Sequence, residues 1–264
     1  MTQSPTDFDA IAMMITQATT ATFSDLYFRH TFLFFIQAGK KYVGCSVNGE
    51  LLGQETDLLV FPAGSTVLME NRPVLDADYQ ALGICFSDDL VRQAFADQNT
   101  TTKAGVQRLV EKDGRLERLK VIITDAISKD DLPTEIRQHR LIEALLWLKQ
   151  FGVKISPQED QSPVGRVRRL IETDLSRPWR AKDVAKHFAM SEATMRRWLQ
   201  DAGQSFSKIL QYTRLEHGLT RLQTTPSPIS QIALEIGFKT PSHFTDAFHQ
   251  RFGITPSQIR RRES

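Results

Sequence analysis

Two segments near the C-terminal end of the sequence repeat one pattern: a short helix, a tight turn and a second short helix. The first pattern spans Ala181–Ala202 and the second spans Ile229–Phe252. In the first pattern the small side chain of Ala185 lets two helices approach closely, as a helix-turn-helix requires. One such pattern is common by chance, whereas two in tandem predict an all-helical domain that contacts DNA at two neighbouring places.

Local helix signals support this domain. Ser191 is a good N-cap, because its hydroxyl can accept a free backbone N–H of the next helix. Ser205–Gln223 carries apolar residues at helical spacing, and a helix of that length spans about 28 Å. Phe244, Phe248 and Phe252 recur every fourth residue and predict one buried stripe in the second unit.

Charge is distributed unevenly along the chain. The net charge is +2, from 33 Lys and Arg and 31 Asp and Glu. Val164–Ser264 contains 17 basic and 9 acidic residues, whereas Met1–Pro163 contains 16 and 22, which gives +8 and −6. This asymmetry is typical of a chain with one DNA-binding domain, although mutual attraction between the two halves would also explain it.

The N-terminal half has the composition of a β domain. Thr31–Ile36 and Lys41–Val47 are rich in aromatic and β-branched residues and predict strands. Asn48-Gly49, between two strand-like runs, predicts a two-residue hairpin. Several short strands over about residues 22–87 predict a small sandwich or barrel.

The periodicity becomes helical over about residues 88–152, and its strongest helix is Thr134–Phe151. This helix has more apolar residues than one core-facing stripe requires, so it packs against the β domain, forms a dimerisation helix, or does both. The candidate dimerisation residues are Ile142, Leu145, Leu146 and Leu148.

A polar segment with two prolines and a glycine comes next, and it predicts a linker over residues 156–165. We therefore expect a two-domain α+β protein. Residues 1–155 form a regulatory and dimerisation domain, and residues 166–264 form an all-α DNA-binding domain with motifs at about 181–202 and 229–252.

The C-terminal third also resembles a known family in the order and spacing of many residues. The shared positions are Ser191, Met195, Arg197, Arg214, Leu215, Leu219, Leu222, Ile229, Ala233, Gly237, Phe238, Phe244, Phe248, Phe252, Gly253, Pro256 and Arg260. Over about 100 residues this pattern is similar to that of the AraC/XylS family of transcription regulators. The resemblance implies seven helices, with two recognition helices that are joined by a rigid connecting helix and enter successive major-groove segments on one face of the DNA.

Spacing and resemblance together select candidate contact residues. The candidate DNA-binding residues are Glu192, Thr194, Arg196, Arg197, Lys239, Thr240, Ser242, His243 and Asp246. The candidate phosphate partners are Lys182, Lys208 and Arg214, of which Arg214 could equally be a structural ion-pairing residue.

Met195, Leu199, Gly218, Asp246 and Ile259 depart from the family pattern, and two of these departures affect helix stability or DNA contact. Gly218 stands where a small alanine is usual, and glycine costs the connecting helix about 0.5–1 kcal/mol. Asp246 stands where a basic or neutral residue is usual. Its carboxylate repels phosphate, but it can accept a hydrogen bond from cytosine N4 or pair with Arg251 or His243.

The N-terminal domain shows a thinner resemblance. Gly53–Gly64 resembles the strand-turn signature of the cupin-like domain that many family members carry. The two histidines of this half are not closely spaced, so we expect neither a cupin metal nor a cofactor. Arg29, Lys40 and Lys41 lie near aromatic strands and could hold a carboxylate effector, or they could belong to an ordinary solvated hairpin edge.

The expected function is that of a sequence-specific transcription regulator, with activation favoured, and not that of an enzyme. Its expected partners are double-stranded promoter DNA, RNA polymerase and a second copy of the chain. Control by a protein antagonist, in place of a small-molecule effector, is one alternative, and a cupin-type enzyme fused to the DNA-binding module is a weaker one. The sequence shows neither a secretory signal nor an apolar run of about 18 residues, so we expect a bacterial cytoplasmic protein on the nucleoid, with Cys45 and Cys85 reduced.

Overall fold

The computed structural model describes residues 9–74, 77–98, 104–128, 132–156 and 161–260. The chain divides into two compact units, one consisting mainly of Asp7–Glu159 and the other mainly of Asp160–Ser257. We call them the N-terminal and the C-terminal unit. Together they have the two-domain α+β architecture that the sequence predicts. Within these described ranges, no helix combines the length and the apolar character that crossing a bilayer requires.

Two antiparallel sheets form the N-terminal unit. The first sheet has the strand order β1-β8-β3-β6-β9, and the second has the order β2-β7-β4-β5. The strands are β1 (Ala10–Gln17), β2 (Ala21–Phe28), β3 (Thr31–Ala38), β4 (Lys40–Cys45), β5 (Gly49–Gly53), β6 (Leu58–Phe61), β7 (Ser65–Arg72), β8 (Tyr79–Phe86) and β9 (Gln107–Leu109).

Strand β3 shows why the first sheet is rich in aromatic residues. Leu33 and Phe35 point into a core shared with helices, whereas Phe34 lies on the other face of the strand and contacts Phe61 and Phe28. A strand covered on both faces needs apolar residues at consecutive positions, and these break the usual alternation. This double coverage explains the nearly continuous apolar run of β3.

Three details of the β domain differ from the prediction. The hairpin between β4 and β5 has a three-residue loop, because Cys45 pairs with Gly49, and Gly49 takes the left-handed φ of +74°. Strands β1 and β9 lie outside the predicted range of residues 22–87. Strand β1 contains mainly Ala and Met in addition to isoleucine, and β9 has only three residues, so both carry a weak strand signal.

Three helices cover one face of the first sheet: α1 (Asp88–Phe95), α2 (Arg115–Ser128) and α3 (Thr134–Gln150). The dimerisation candidates on α3 divide between its two sides. Leu145 and Leu148 are fully buried in the core of their own chain, and Ile142 packs against that core. Only Leu146 is exposed, so Leu145 and Leu148 cannot face a partner, contrary to the prediction.

Seven helices come after these within the described part of the chain: α4 (Pro163–Glu172), α5 (Ala181–His187), α6 (Glu192–Asp201), α7 (Phe206–Thr224), α8 (Ile229–Glu235), α9 (Pro241–Phe252) and α10 (Pro256–Arg260). Helix α4 begins inside the predicted linker. Ser162 caps it by accepting the N–H of Gly165 at 3.1 Å, and Pro163 occupies its first turn. Proline is favoured there, because the first N–H groups of a helix have no partner within the helix.

A buried ion pair fastens α4 to the connecting helix α7. The guanidinium of Arg168 contacts the carboxylate of Glu216, and both side chains are almost completely buried. Desolvation raises the pKa of the Glu216 carboxyl, and the neighbouring Arg168 opposes that rise. This pair holds the connecting helix in a fixed position on the C-terminal unit.

Candidate DNA-binding interface

The first helix-turn-helix consists of α5 and α6. The turn contains Ala189 at a left-handed φ of +53°, and Ser191 caps α6 by accepting the N–H of Thr194 at 3.1 Å. Met195 and Leu199 are buried in the core of this unit. Burial of that side leaves the candidate residues Glu192, Thr194, Arg196 and Arg197 exposed to solvent.

The second helix-turn-helix, which consists of α8 and α9, repeats this geometry. Gly237 forms the turn at a φ of +88°, and the hydroxyl of Thr240 accepts the N–H of His243 at 3.2 Å. Phe244 and Phe248 are fully buried, with ring centroids 5.5 Å apart. The opposite side of α9 and the preceding turn therefore expose the candidates Lys239, Thr240, Ser242, His243 and Asp246.

Asp246 pairs with neither Arg251 nor His243, the two partners that the sequence analysis proposed. It forms no ion pair or hydrogen bond with a described residue, and the guanidinium of Arg251 lies 4.0 Å over the ring of Tyr212 instead. The ring of His243 packs edge-on against Phe238, with centroids 5.3 Å apart. The carboxylate of Asp246 is thus an exposed acceptor on the recognition helix.

The three phosphate candidates differ in environment. Lys182 and Lys208 are exposed, and the ammonium of Lys208 lies 5.2 Å from the ring centroid of Tyr212. Arg214 is half-buried, and its guanidinium donates to the carbonyl oxygens of Leu175 at 3.0 Å and Arg177 at 2.7 Å. Arg214 therefore has a structural role, which was the alternative to a phosphate contact. Its acceptors are backbone carbonyl groups and not the carboxylate that an ion pair would require.

Gln200 is an exposed side chain on α6 that the sequence reasoning omitted. It lies three residues after Arg197 and four after Arg196, so the three side chains share one face of the helix. Extending the helical spacing by one turn would have identified it.

The effector candidates of the N-terminal unit do not come together. Arg29 precedes β3 and Lys40 comes after it, and a strand of eight residues separates the two positions by about 25 Å. Lys40 is exposed, whereas Lys41 is fully buried. The three cations therefore cannot form one carboxylate site, and Lys41 is the most deeply buried of them.

Lys41 lies between the two sheets in unusual surroundings. Its ammonium donates to Asn71 Oδ1 at 2.5 Å and to Met69 Sδ at 3.1 Å, and it lies 4.2 Å from the ring centroid of Phe34 and 4.9 Å from that of Tyr79. No carboxylate of a described residue pairs with it. Burial holds the pKa of the Lys41 ammonium well below the ordinary lysine range.

The same region contains a buried polar group without a hydrogen-bond partner. The Tyr79 hydroxyl is buried and has no hydrogen-bond partner among the described residues. Burying a polar group without a partner is costly, so such groups in a native fold call for an explanation. Within the described ranges, no group of three or more His, Cys, Asp or Glu side chains could hold a metal ion.

Comparison with known proteins assigns the helical region to a known type of domain. Residues 184–262 match the family model described as a helix-turn-helix domain. Over 94 residues the chain is 38% identical to the HTH-type transcriptional activator CsvR of Escherichia coli, and this match covers 36% of the chain and 35% of CsvR. The chain thus matches about a third of the length of its curated relatives.

Structures of ToxT from Vibrio cholerae share the fold of the whole chain. One apo structure of a ToxT variant has a TM-score of 0.69 at 13% identity, and it covers 96% of this chain and 97% of ToxT. A structure of ToxT bound to unsaturated fatty acid has a TM-score of 0.64 at 15% identity, with 100% of both chains covered. At such low identity these matches establish the fold alone, namely an antiparallel β domain followed by a helical domain.

Proposed function

We propose that this chain is a transcription regulator that inserts α6 and α9 into successive major-groove segments of a promoter, because residues 184–262 match the helix-turn-helix family model. The observation that carries the proposal is the pair of exposed recognition helices, each held by its own buried face. The matches to named transcriptional regulators cover about a third of the chain, so regulation is our inference for the whole protein.

The length of α7 supports two simultaneous contacts. Its 19 residues span about 28 Å, which is close to the roughly 34 Å of one turn of B-DNA. Recognition helices at the two ends of such a connector face the same side of the duplex. The major groove is wide enough for an α-helix and presents a distinct pattern of donors and acceptors for each base pair.

The first helix-turn-helix has a stronger electrostatic attraction to DNA than the second. Helix α6 exposes Arg196 and Arg197, whereas the exposed side of α9 includes the acidic Asp246. We propose that α6 contributes most of the affinity and that α9 discriminates among sequences, with Asp246 accepting from a cytosine amino group.

A binding experiment with the full-length chain tests this proposal. A duplex site is first selected from a random pool, and the affinity for that site is compared with the affinity for a scrambled duplex at several salt concentrations. We expect preference for the selected site and a steep loss of affinity with salt. Equal affinity for both duplexes at every salt concentration would refute sequence-specific binding.

Substitution of Arg197 by alanine assigns its role. A base contact would cost about 1–3 kcal/mol and relax specificity at one position, whereas a phosphate contact would weaken all sequences alike and lower the salt slope by about 1. Lys154→Ala is the matched control, because Lys154 is an exposed cation of the N-terminal unit. An Arg197→Ala variant that binds as tightly as the control would contradict a role for Arg197 at the DNA.

Regulation itself requires a transcription assay. With purified bacterial RNA polymerase and a template that carries the selected site upstream of a promoter, an activator raises the amount of transcript. We expect more transcript from this template than from a matched template that lacks the site. Unchanged transcript on both templates would leave only DNA binding.

The buried Lys41 favours a second function for the N-terminal unit, the binding of a carboxylic acid effector. A carboxylate seated between the sheets would supply the missing counter-charge of the ammonium and could accept from the Tyr79 hydroxyl. A ToxT structure described as bound to unsaturated fatty acid has the same fold. Control by a protein antagonist remains the alternative, and it requires no small molecule.

Titration calorimetry of the full-length chain with oleate tests the effector. We expect saturable binding that Lys41→Met weakens at least about tenfold, because a charge-assisted hydrogen bond is lost. Lys40→Met is the matched control, since Lys40 precedes Lys41 on the same strand and is exposed. No saturable binding, or equal loss in both variants, would remove this function and favour the antagonist.

A further inference from the structure

The chain continues after helix α3 as a short, isolated extended segment. Val153 and Ile155 are 1% and 0% exposed and lie in the core of the N-terminal unit, whereas Lys154 between them is exposed. This alternation is that of a β-strand, in which successive side chains point to opposite sides. Among the described residues no strand pairs with this segment, which we call the strap (Val153–Ile155).

Two glutamine side chains take the place of neighbouring strands. The amide of Gln107 accepts the N–H of Lys154 at 2.8 Å and donates to the carbonyl oxygen of the same residue at 2.7 Å. The amide of Gln98 accepts the N–H of Ile155 at 3.3 Å and donates to the carbonyl oxygen of Val153 at 3.4 Å. Because the backbone groups of successive strand residues point to opposite edges, the two glutamines hold both edges of the strap.

A side-chain amide holds a segment differently from a strand. The carboxamide of glutamine has the donor and the acceptor of a peptide group, but only its own side-chain torsions fix its position. When the strap leaves, its four bonded backbone groups can exchange glutamine for water. Detachment therefore breaks no strand pairing of the described residues, and its main cost is the exposure of Val153 and Ile155 to water.

Helix α3 ends independently of the strap. Gly152 takes a left-handed φ of +85°, and the N–H of Val153 donates to the carbonyl oxygen of Leu148 at 3.0 Å, as in a Schellman motif. The helix end is thus complete without either glutamine. The backbone can therefore rotate beyond the Val153 nitrogen without unwinding α3.

We propose that the strap is a latch, which detaches as a whole from Gln98 and Gln107 while the rest of the N-terminal unit stays folded. The chain leaves this unit soon after the strap, and helix α4 of the C-terminal unit begins at Pro163. Detachment of three residues adds up to about 10 Å to the connection between the two units. Because the effective concentration of linked units depends on the length of their linker, the latch sets how strongly the units act on one another.

Hydrogen exchange of single backbone amides in the full-length chain tests the latch. Gln107→Ala should speed exchange of the Lys154 N–H about tenfold, because two hydrogen bonds that hold the strap are lost. If the strap detaches as a whole, the Ile155 N–H accelerates by a similar factor, although Gln98 is intact. Gln98→Ala should have the same effect on both amides. The Val153 N–H is the internal control, since its acceptor lies on α3 and its protection should not change.

Limited proteolysis measures the detached form directly. A protease cleaves the opened state of a segment, and while opening is fast its rate follows the population of that state. Trypsin should cleave after Lys154 at least about tenfold faster in Gln98→Ala/Gln107→Ala than in the wild-type chain. Gln231→Ala is the matched control, because the Gln231 amide donates to Glu235 on α8, outside the N-terminal unit.

Each result either supports the latch or overturns it. Joint acceleration of the Lys154 and Ile155 amides in both single variants, with faster cleavage only in the double variant, supports it. Acceleration confined to the amide whose own glutamine was replaced overturns detachment as a whole, and so does unchanged cleavage after Lys154. If alanine unfolds the N-terminal unit, the measurements are repeated with Gln98→Glu and Gln107→Glu, which keep the size and the acceptor but remove the donor. Loss of protection throughout the unit in these variants too would show that the glutamines support the whole fold, and it would overturn the latch.

Discussion

Replacing Gly218 by alanine tests how the second recognition helix is positioned. Gly218 is buried on α7, and a Cβ atom added there would lie 2.9 Å from Ile236 Cδ1 and 2.9 Å from Phe244 Cε2. Phe244 belongs to α9. The absence of a side chain at Gly218 therefore lets the second helix-turn-helix pack closely on the connecting helix α7. From sequence alone the glycine looked like a defect of the helix, whereas the structure assigns it to packing.

Two opposing effects determine the result of Gly218→Ala. The helix gains about 1 kcal/mol, because alanine has the higher helix propensity. The core loses about 1–3 kcal/mol when an extra carbon is forced into a filled space. The new Cβ would strike both the Ile236 Cδ1 methyl and the Phe244 ring, and that ring is held between Phe238 and Phe248. We therefore expect a net loss of about 1 kcal/mol, accompanied by a displacement of α9.

Urea unfolding of the full-length chain, measured by tryptophan fluorescence in a Trp147→Phe background, reports on the C-terminal unit through its own tryptophans. Ile236→Val removes the methyl that the new Cβ would strike. This change should be destabilising in the wild-type background and close to neutral in the Gly218→Ala background. A Gly218→Ala variant that is more stable than wild type, with additive effects in the double variant, would refute the packing argument.

Two further predictions concern buried charges. Because burial lowers the pKa of Lys41, the unfolded chain binds a proton that the folded chain does not, over the range between the lowered pKa and the ordinary lysine value. Stability should therefore rise with pH across that range, and thermal unfolding of Lys41→Met should lack this rise. Arg168→Met should cost about 3–5 kcal/mol by leaving the Glu216 carboxylate buried without its partner, and Arg168→Met/Glu216→Leu should recover most of this loss in urea unfolding.

The helix-turn-helix units were predictable because their determinants are local. Ser191 and Thr240 cap α6 and α9, and the Phe stripe of α9 has helical spacing, so each helix-turn-helix could be located from about two dozen consecutive residues. The start of α4 was missed for a related reason. Ser162 and Pro163 are residue types common to linkers and to helix starts, and only the apolar spacing of the residues after Pro163 distinguishes the two.

The exposed face of α3 was not predictable by counting the apolar residues of that helix. Both faces of that helix contain leucine, and sequence alone does not tell which face the sheet covers. The structure places Leu145 in the core and Leu146 in solvent, a difference of one position that corresponds to about 100° around the helix axis. The same uncertainty affected Arg214, whose acceptors are backbone carbonyls 37 and 39 residues away in sequence.

Lys41 shows what a single strand can and cannot reveal. Residues two apart on a strand share a face, so Lys41, Val43 and Cys45 lie together on β4, and Lys40 lies on the other side. Alternation alone therefore separates Lys40 from Lys41 and marks Lys41 as inward-facing, although the two had been grouped as neighbouring cations.

The strand alone cannot reveal that no carboxylate of a described residue lies opposite Lys41. That depends on the pairing of β4 with β7, which brings Asn71 beside the ammonium, and on the packing of Phe34 and Tyr79 from the other sheet. A buried amino group with only neutral partners is thus a property of the assembled sheets. We propose an anionic effector at Lys41, and not at Arg29 or Lys40, because the latter two side chains are more accessible to water.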